Sequence, residues 1–126
     1  MGESATRYIE SSTQDGVLVI TIRATAMRDT QICYAIRDQM IEAIDPDETQ
    51  NVIINLESLT FVGSIGLLGF LAVRRKIPKS RIVICNVTDT IREVFLLCRM
   101  ISADNSADSP FEMTATLQDA SNKLHV

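Results

Sequence analysis

Three short aliphatic runs constrain this chain more than any other feature. Residues 17–22 read VLVITI, residues 51–56 centre on Val52-Ile53-Ile54, and residues 81–86 centre on Ile82-Val83-Ile84. Each is too short for a buried helix, is rich in β-branched side chains, and lacks the polar alternation of a strand with one wet face. Between them lie stretches with helical spacing. Ile32, Ala35, Ile36, Met40, Ala43 and Ile44 predict a helix over residues 30–44, started by Asp29 or Thr30 and ended by Asp45-Pro46-Asp47. Leu67, Leu68, Phe70, Leu71 and Ala72 predict a second helix, opened by Gly63-Ser64-Ile65-Gly66 and closed by Arg74-Arg75-Lys76, which read as a solvated, dipole-matched end. Ile91, Val94, Phe95 and Cys98 predict a third behind Thr88-Asp89-Thr90.

A further strand is expected at residues 7–13, joined to the first aliphatic run by Gln14-Asp15-Gly16, since Asp-Gly tolerates the positive φ of a tight primed turn. Residues 111–114 suggest a last short strand, and Leu117, Ala120 and Leu124 a terminal helix. Strands alternating with helices imply parallel crossovers. The expected fold is α/β: a four- or five-stranded mixed sheet with helices packed mainly on one face. The 126 residues suit one domain, with residues 1–5 as a flexible tail and 102–110 as a polar loop.

Composition narrows the function classes. Twelve Lys+Arg against sixteen Asp+Glu leave a net charge of −4, so nothing draws the chain globally to nucleic acid, and no large basic patch reverses this. With no Trp and 5% aromatics, a stacking platform for bases is not expected. The longest apolar run, 65–73, carries two glycines and falls short of the about 18 residues that span a bilayer, so no membrane insertion is expected. The N-terminus has no apolar signal core; its Met-Gly start with Thr6 matches a myristoylation pattern only loosely. Cys33, Cys85 and Cys98 are odd in number, widely spaced and set among apolar neighbours. They read as buried, reduced thiols in a cytoplasmic protein, not as a disulfide or zinc framework. His125, the sole histidine, stands next to the C-terminal residue. There is no phosphate-binding loop, no dinucleotide fingerprint and no paired carboxylate, so no catalytic residue, metal or cofactor is assigned.

One segment is left for function, residues 55–69, NLESLTFVGSIGLLG. A buried strand leads through a short loop to a serine at a helix entrance. Ser64 is open to two readings. It is an N-cap, with Gly63 and Gly66 easing close backbone packing. Or it is a switch, because free N–H groups at a helix start tolerate a phosphate, and a phosphate adds about −1.5 to −2 charges to the surface beside it. Leu67 and Leu68 would supply apolar contact if exposed.

The segment resembles the signature of STAS domains, specifically the anti-sigma factor antagonists, which read Asp-Leu-x-x-Leu/Val-x-Phe-x-Asp-Ser-Ser/Thr-Gly-Leu-Gly. Leu56, Leu59, Phe61, Ser64, Gly66 and Leu67 match in register, and residues 82–95 resemble the family's fourth strand and third helix. The likeness spans residues 7–100. It implies a single STAS-like domain that is a phosphorylation substrate with no catalysis of its own. It implies that Ser64 is the phosphoacceptor, with an anti-sigma factor that is also a serine kinase as partner. The unmodified form binds that kinase, the phosphorylated form releases it, and a PP2C-type phosphatase resets it. A weak homo-oligomer is compatible with this reading. The docking surface implied is Gly63, Ser64, Ile65, Gly66 and Leu67, with Arg28, Asp29 and Thr30 alongside. Three family acids are replaced: Asp before the phosphoacceptor by Gly63, the strand-end Asp by Asn55, and the Asp after the second strand by Met27; the second Ser/Thr is Ile65. Two other classes stay open: a non-switching STAS scaffold in a stress-sensing or transporter-associated complex, and a small flavodoxin-shaped enzyme or carrier.

Overall fold

The computed structural model describes residues 6–44, 50–104 and 109–125. The expected tail at 1–5, the Asp45-Pro46-Asp47 helix stop and part of the 102–110 loop lie outside the described residues. Within them the order is β1 (Ile9–Gln14), β2 (Val17–Ile22), β3 (Ala26–Met27), α1 (Thr30–Ala43), β4 (Val52–Asn55), β5 (Phe61–Val62), α2 (Ser64–Lys76), β6 (Ile82–Cys85), α3 (Asp89–Leu97), β7 (Glu112–Thr114) and α4 (Leu117–Leu124). The main sheet is five-stranded, ordered β1-β2-β4-β6-β7, with β1 antiparallel to β2 and every other neighbour pair parallel. Asp15 and Gly16 take φ of 52° and 81° in the β1–β2 turn, as the Asp-Gly signal predicts.

The aliphatic runs are continuous because both sheet faces are covered. Leu18, Ile20, Ile22, Val52, Ile54, Ile82 and Ile84 point into the larger core, under α1, α2 and α3. There Phe70 and Phe95 meet edge to face at 5.6 Å, and Phe95 leans on Phe111 at 6.3 Å. Val17, Val19, Ile53, Val83 and Cys85 point the other way and are covered by Leu117, Ala120 and Leu124 of α4. Helices thus lie mainly, not wholly, on one face. The alternation is invisible in sequence because neither set of side chains meets water.

Caps sharpen the helix starts. The Asp29 carboxylate accepts from the backbone N–H groups of Gln31 and Ile32 at 2.8 and 3.2 Å, so Asp29 and not Thr30 caps α1. The Thr88 hydroxyl accepts from Ile91 N–H at 3.2 Å, and the Thr116 hydroxyl from Asp119 N–H at 3.0 Å.

Two sequence expectations change. Arg74 is not a solvated end charge: its half-buried guanidinium donates to the carbonyls of Ile77, Ser80 and Pro110, tying the end of α2 to the approaches of β6 and β7. Cys98 is exposed at the C-cap of α3, while Cys33 and Cys85 are buried. Burial pushes the Cys85 thiol up to about 12, with Glu57 adding to it, so it stays protonated.

One ion pair locks the β6–β7 edge. Glu112 is 3% exposed and takes two hydrogen bonds from Arg81, at 2.8 and 2.6 Å, with Lys123 Nζ at 3.4 Å. The Arg81 hydrogen bond leads in holding its carboxyl below the ordinary range, against the opposing effect of burial. A carboxylate with a depressed folded pKa stabilises the fold above its unfolded value, and that contribution fades as pH falls through the folded one. Glu112→Gln is therefore expected to destabilise by about 1–3 kcal/mol at pH 7, the variant-to-wild-type gap closing as the pH is taken below about 4. Urea unfolding across that range measures the gap.

Candidate functional site

The parallel strands β2, β4, β6 and β7 all end at one edge of the sheet, so the loops after them gather there. The loop after β4 is anchored at both ends. Leu56 N–H donates to the Cys85 carbonyl at 3.0 Å, and Leu56 and Leu59 are wholly buried. Asn55, also buried, accepts from Glu57 N–H at 3.2 Å and from Asn86 Nδ2 at 2.9 Å, while its own Nδ2 donates to Glu57 Oε1 at 3.0 Å. An aspartate at 55 could make the first two contacts, but it would oppose the Glu57 carboxylate instead of donating to it. The amide is the side chain this pocket accommodates.

The far end of the loop is held by a small second sheet, absent from the sequence reading, which has plain connections there. β3 pairs with β5 in parallel, Ala26 opposite Phe61 and Met27 opposite Val62. Thr60 donates to the Thr25 carbonyl through its N–H at 2.8 Å and its hydroxyl at 3.0 Å, and Gly63 N–H donates to the Met27 carbonyl at 2.9 Å. The expected neighbourhood of Arg28-Asp29-Thr30 and the serine loop is therefore real. All three residues are exposed, and the Arg28 guanidinium lies 4.4 Å above the Phe61 ring.

Ser64 is not the N-cap. Gly63 occupies that place in extended backbone and brings no side-chain acceptor, so Ser64 is the first helical residue and its side chain is exposed. The first turn of α2 carries no acid. Its N–H groups therefore meet neither a capping oxygen nor a neighbouring carboxylate from their own turn. The cap reading of this serine gives way, and a hydroxyl open to solvent at the positive end of a thirteen-residue helix remains.

The rest of the expected surface divides. Gly66 is buried and belongs to packing: a Cβ there would stand 2.8 Å from Val62 Cγ2 and 3.1 Å from Met27 Cβ. Ile65 and Leu67 are half-buried against the core. Gly63 is half-buried, and a Cβ on it would meet its nearest atom, the Met27 carbonyl oxygen, at 3.4 Å, so the site has room for a larger residue. The exposed apolar groups are instead Leu68, at 57%, and Phe61, at 41%. Phe61 was legible only as a motif match; its outward direction follows from alternation with buried Val62 in β5. His125 is exposed and far along α4 from this edge. Among the described residues no group of His, Cys, Asp or Glu is arranged to hold a metal ion, and no helix is long and apolar enough to cross a membrane.

The sequence profile of the STAS domain matches residues 8–120. The chain belongs to the STAS domain family. Solved structures agree on the fold. An anti-sigma-factor antagonist (STAS) domain protein from Planctomyces limnophilus superposes with a TM-score of 0.78 at 21% identity, over 95% of this chain and 99% of that one. An anti-sigma factor antagonist from Mycobacterium paratuberculosis gives 0.75 at 20% identity, over 94% and 93%. The anti-sigma factor antagonist SpoIIAA in its unphosphorylated form gives 0.65 at 22%, over 93% and 97%. In this STAS domain Ser64 therefore stands at an exposed helix start, held by a loop pinned at both ends.

Gly66→Ala separates packing from docking. An alanine gains about 0.5–1 kcal/mol of helix propensity, but the added methyl drives into a stiff β-branched side chain and the Cβ of Met27, and such overpacking costs about 1–3 kcal/mol. A net loss of stability is expected, read as a lower urea midpoint at unchanged slope.

Proposed function

We propose that this STAS domain is an anti-sigma factor antagonist working by partner switching. With Ser64 bare, the surface around it binds an anti-sigma serine kinase and the sigma factor goes free. With Ser64 phosphorylated, the kinase is released, and a PP2C-type phosphatase restores the binding form. The domain is the substrate of that phosphotransfer and contributes no catalysis, and the pathway belongs to the cytoplasm.

The exposed Ser64 hydroxyl at the uncapped start of α2 is the observation that carries this reading. A kinase must reach that oxygen, and a phosphate there meets a helix dipole of opposite sign with no acid in the same turn. The same phosphate would place two negative charges beside Ile65 and Leu68, where a partner's apolar groups would have to be desolvated. The occurrence of an anti-sigma factor antagonist with a distinct unphosphorylated form among the fold neighbours supports the reading. So does the fit of the pinned loop to a rigid presenting device: a hydroxyl held in place loses little freedom when it is bound.

The test incubates the protein with ATP and an anti-sigma serine kinase of its own organism, with intact mass as readout. Wild type is expected to gain one phosphate and Ser64→Ala none. In calorimetry, Ser64→Asp is expected to bind the kinase at least about tenfold more weakly than wild type, a difference of about 1.4 kcal/mol, while Ser64→Ala stays bound in the presence of ATP. Equal binding by all three, with no mass gain, overturns the switch.

Gly63 is the second handle. A Cβ at this position meets the Met27 carbonyl oxygen at 3.4 Å and Phe61 Cε2 at 3.7 Å, so the first carbon of a side chain is accommodated there. Gly63→Asp is expected to speed phosphorylation of Ser64 by orienting the hydroxyl or a kinase-bound metal, measured as the initial rate of the mass gain.

A further inference from the structure

Beside the serine, α1 and α2 leave a groove of about 270 Å³ between them. Its walls include Tyr34 and Arg37 from α1, and Ile65, Leu68, Ala72 and Arg75 from α2. The α2 residues follow at intervals of three, four and three, one stripe of the helix, about 15 Å from end to end. The stripe begins one residue after Ser64. Tyr34 is 46% exposed and Leu68 57%, so two of the large apolar side chains that stand in solvent share this one groove. Gly69 lets the helices close up: a Cβ on it would come 3.4 Å from Arg37 Cβ, and the Arg37 stem crosses α2 there.

Charge gives the groove a sign. The chain carries −4 overall, yet the charged side chains lining the groove are both arginines. Arg37 lies 4.7 Å over the Tyr34 ring, and among the described residues its one carboxylate is the solvent-exposed Asp38 at 2.8 Å, a surface pair that holds it weakly. Arg75 has no carboxylate partner among the described residues, and neither does Arg28 at the other side of Ser64. Asp29, the acid nearest Arg28 in sequence, is engaged in capping α1.

We propose that the α1–α2 groove is the seat of an acidic amphipathic helix supplied by the partner protein, apolar residues resting on Tyr34, Ile65 and Leu68 and carboxylates reaching Arg37 and Arg75. The inference rests on the reading of this face as a protein-docking surface and names the chemistry of what docks. A helix fits because both walls are helices whose backbone groups are paired internally. They offer an extended peptide no strand edge, whereas a helix satisfies its own backbone and needs only side-chain contact. Complementary charge sets orientation and arrival rate, and the apolar stripe supplies the burial. A phosphate on Ser64 would then stand one residue from the groove's start and repel an acidic occupant, which couples the serine to the seat.

The probe is an N-acetylated alanine-based helix of about 16 residues, stapled for helicity, with leucines at i, i+3 and i+7 and flanking glutamates; its counterpart has lysine for every glutamate. Each is titrated into the uniformly 15N-labelled full chain. The acidic peptide is expected to shift the amides of Tyr34, Arg37, Ile65, Leu68 and Arg75, binding about tenfold or more tightly than the basic one, with the difference shrinking as salt is raised to screen it. The double variant Arg37→Glu/Arg75→Glu is expected to invert the preference, and Leu68→Ser to weaken both peptides. Unshifted core amides report that each variant stays folded. Equal binding of the two peptides, shifts mapping elsewhere, or no binding overturns the proposal. So does concentration-dependent shifting of the same amides without peptide, which would put a second copy of this chain in the groove. The kinase assay at Ser64 can fail while the peptide result stands, and the reverse, so the two readings are judged separately.

Discussion

Parallel pairing of β2, β4, β6 and β7 is the constraint from which the rest follows. Because these strands run the same way, each passage from one to the next needs a crossover, and the loops after all of them end up on one edge. The serine loop after β4 and the segment after β2 that carries β3 and Arg28 are brought to the same edge for that reason, and the β3–β5 pairing joins them. Covering both sides of the sheet completes the arrangement. Three helices bury one face and α4 the other, so the central strands have no freedom to slip by a residue without turning their side chains into the opposite layer.

Rigidity at the edge comes from small groups in close fit. Gly66 has no side chain because Val62 and Met27 fill the space it would take. Asn55 is an amide because it must both accept from Asn86 and donate to Glu57. The two-residue pairing of β3 with β5 adds backbone hydrogen bonds where the loop would otherwise sway. What is left pointing outward is a hydroxyl, a phenyl ring under an arginine, and a leucine one turn further on. Such a surface can be recognised in one state and refused in another, since a single added anion changes its charge without asking the core to move.

Two of the three replaced acids of the family pattern acquire physical reasons in this setting. Asn55 answers to Glu57. Met27 is wholly buried beneath Gly66, where a carboxylate would be costly to desolvate. Gly63 has no comparable steric cause, since a Cβ there would meet only ordinary contacts. The edge is consequently less acidic than the family pattern, and among the described residues Arg28 and Arg75 beside it have no carboxylate partner.

Sequence alone determined the order of the four helices and of the five strands of the main sheet, the Asp-Gly hairpin, the start of α3 behind Thr88, the start of α1 to within Asp29 or Thr30, and the place of Ser64 at the mouth of α2. Each is a local matter of side-chain period, turn chemistry or a hydroxyl within reach of its own backbone. Tertiary structure decided the rest. β3 and β5 exist only because two loops distant in the chain lie side by side; neither has a pattern of its own over two residues. Arg74 looked solvated because two of the three carbonyls it serves, those of Ser80 and Pro110, lie beyond its helix, and Cys98 looked buried because Leu96 and Leu97 precede it, although Leu97 is itself exposed and Cys98 falls at the C-cap of α3. Which of Gly63 to Leu68 face outward depended on what packs beneath α2, and the groove with its two arginines depended on α1 lying against it. Periodicity says that a helix has a dry side; only the partner element says where that side ends.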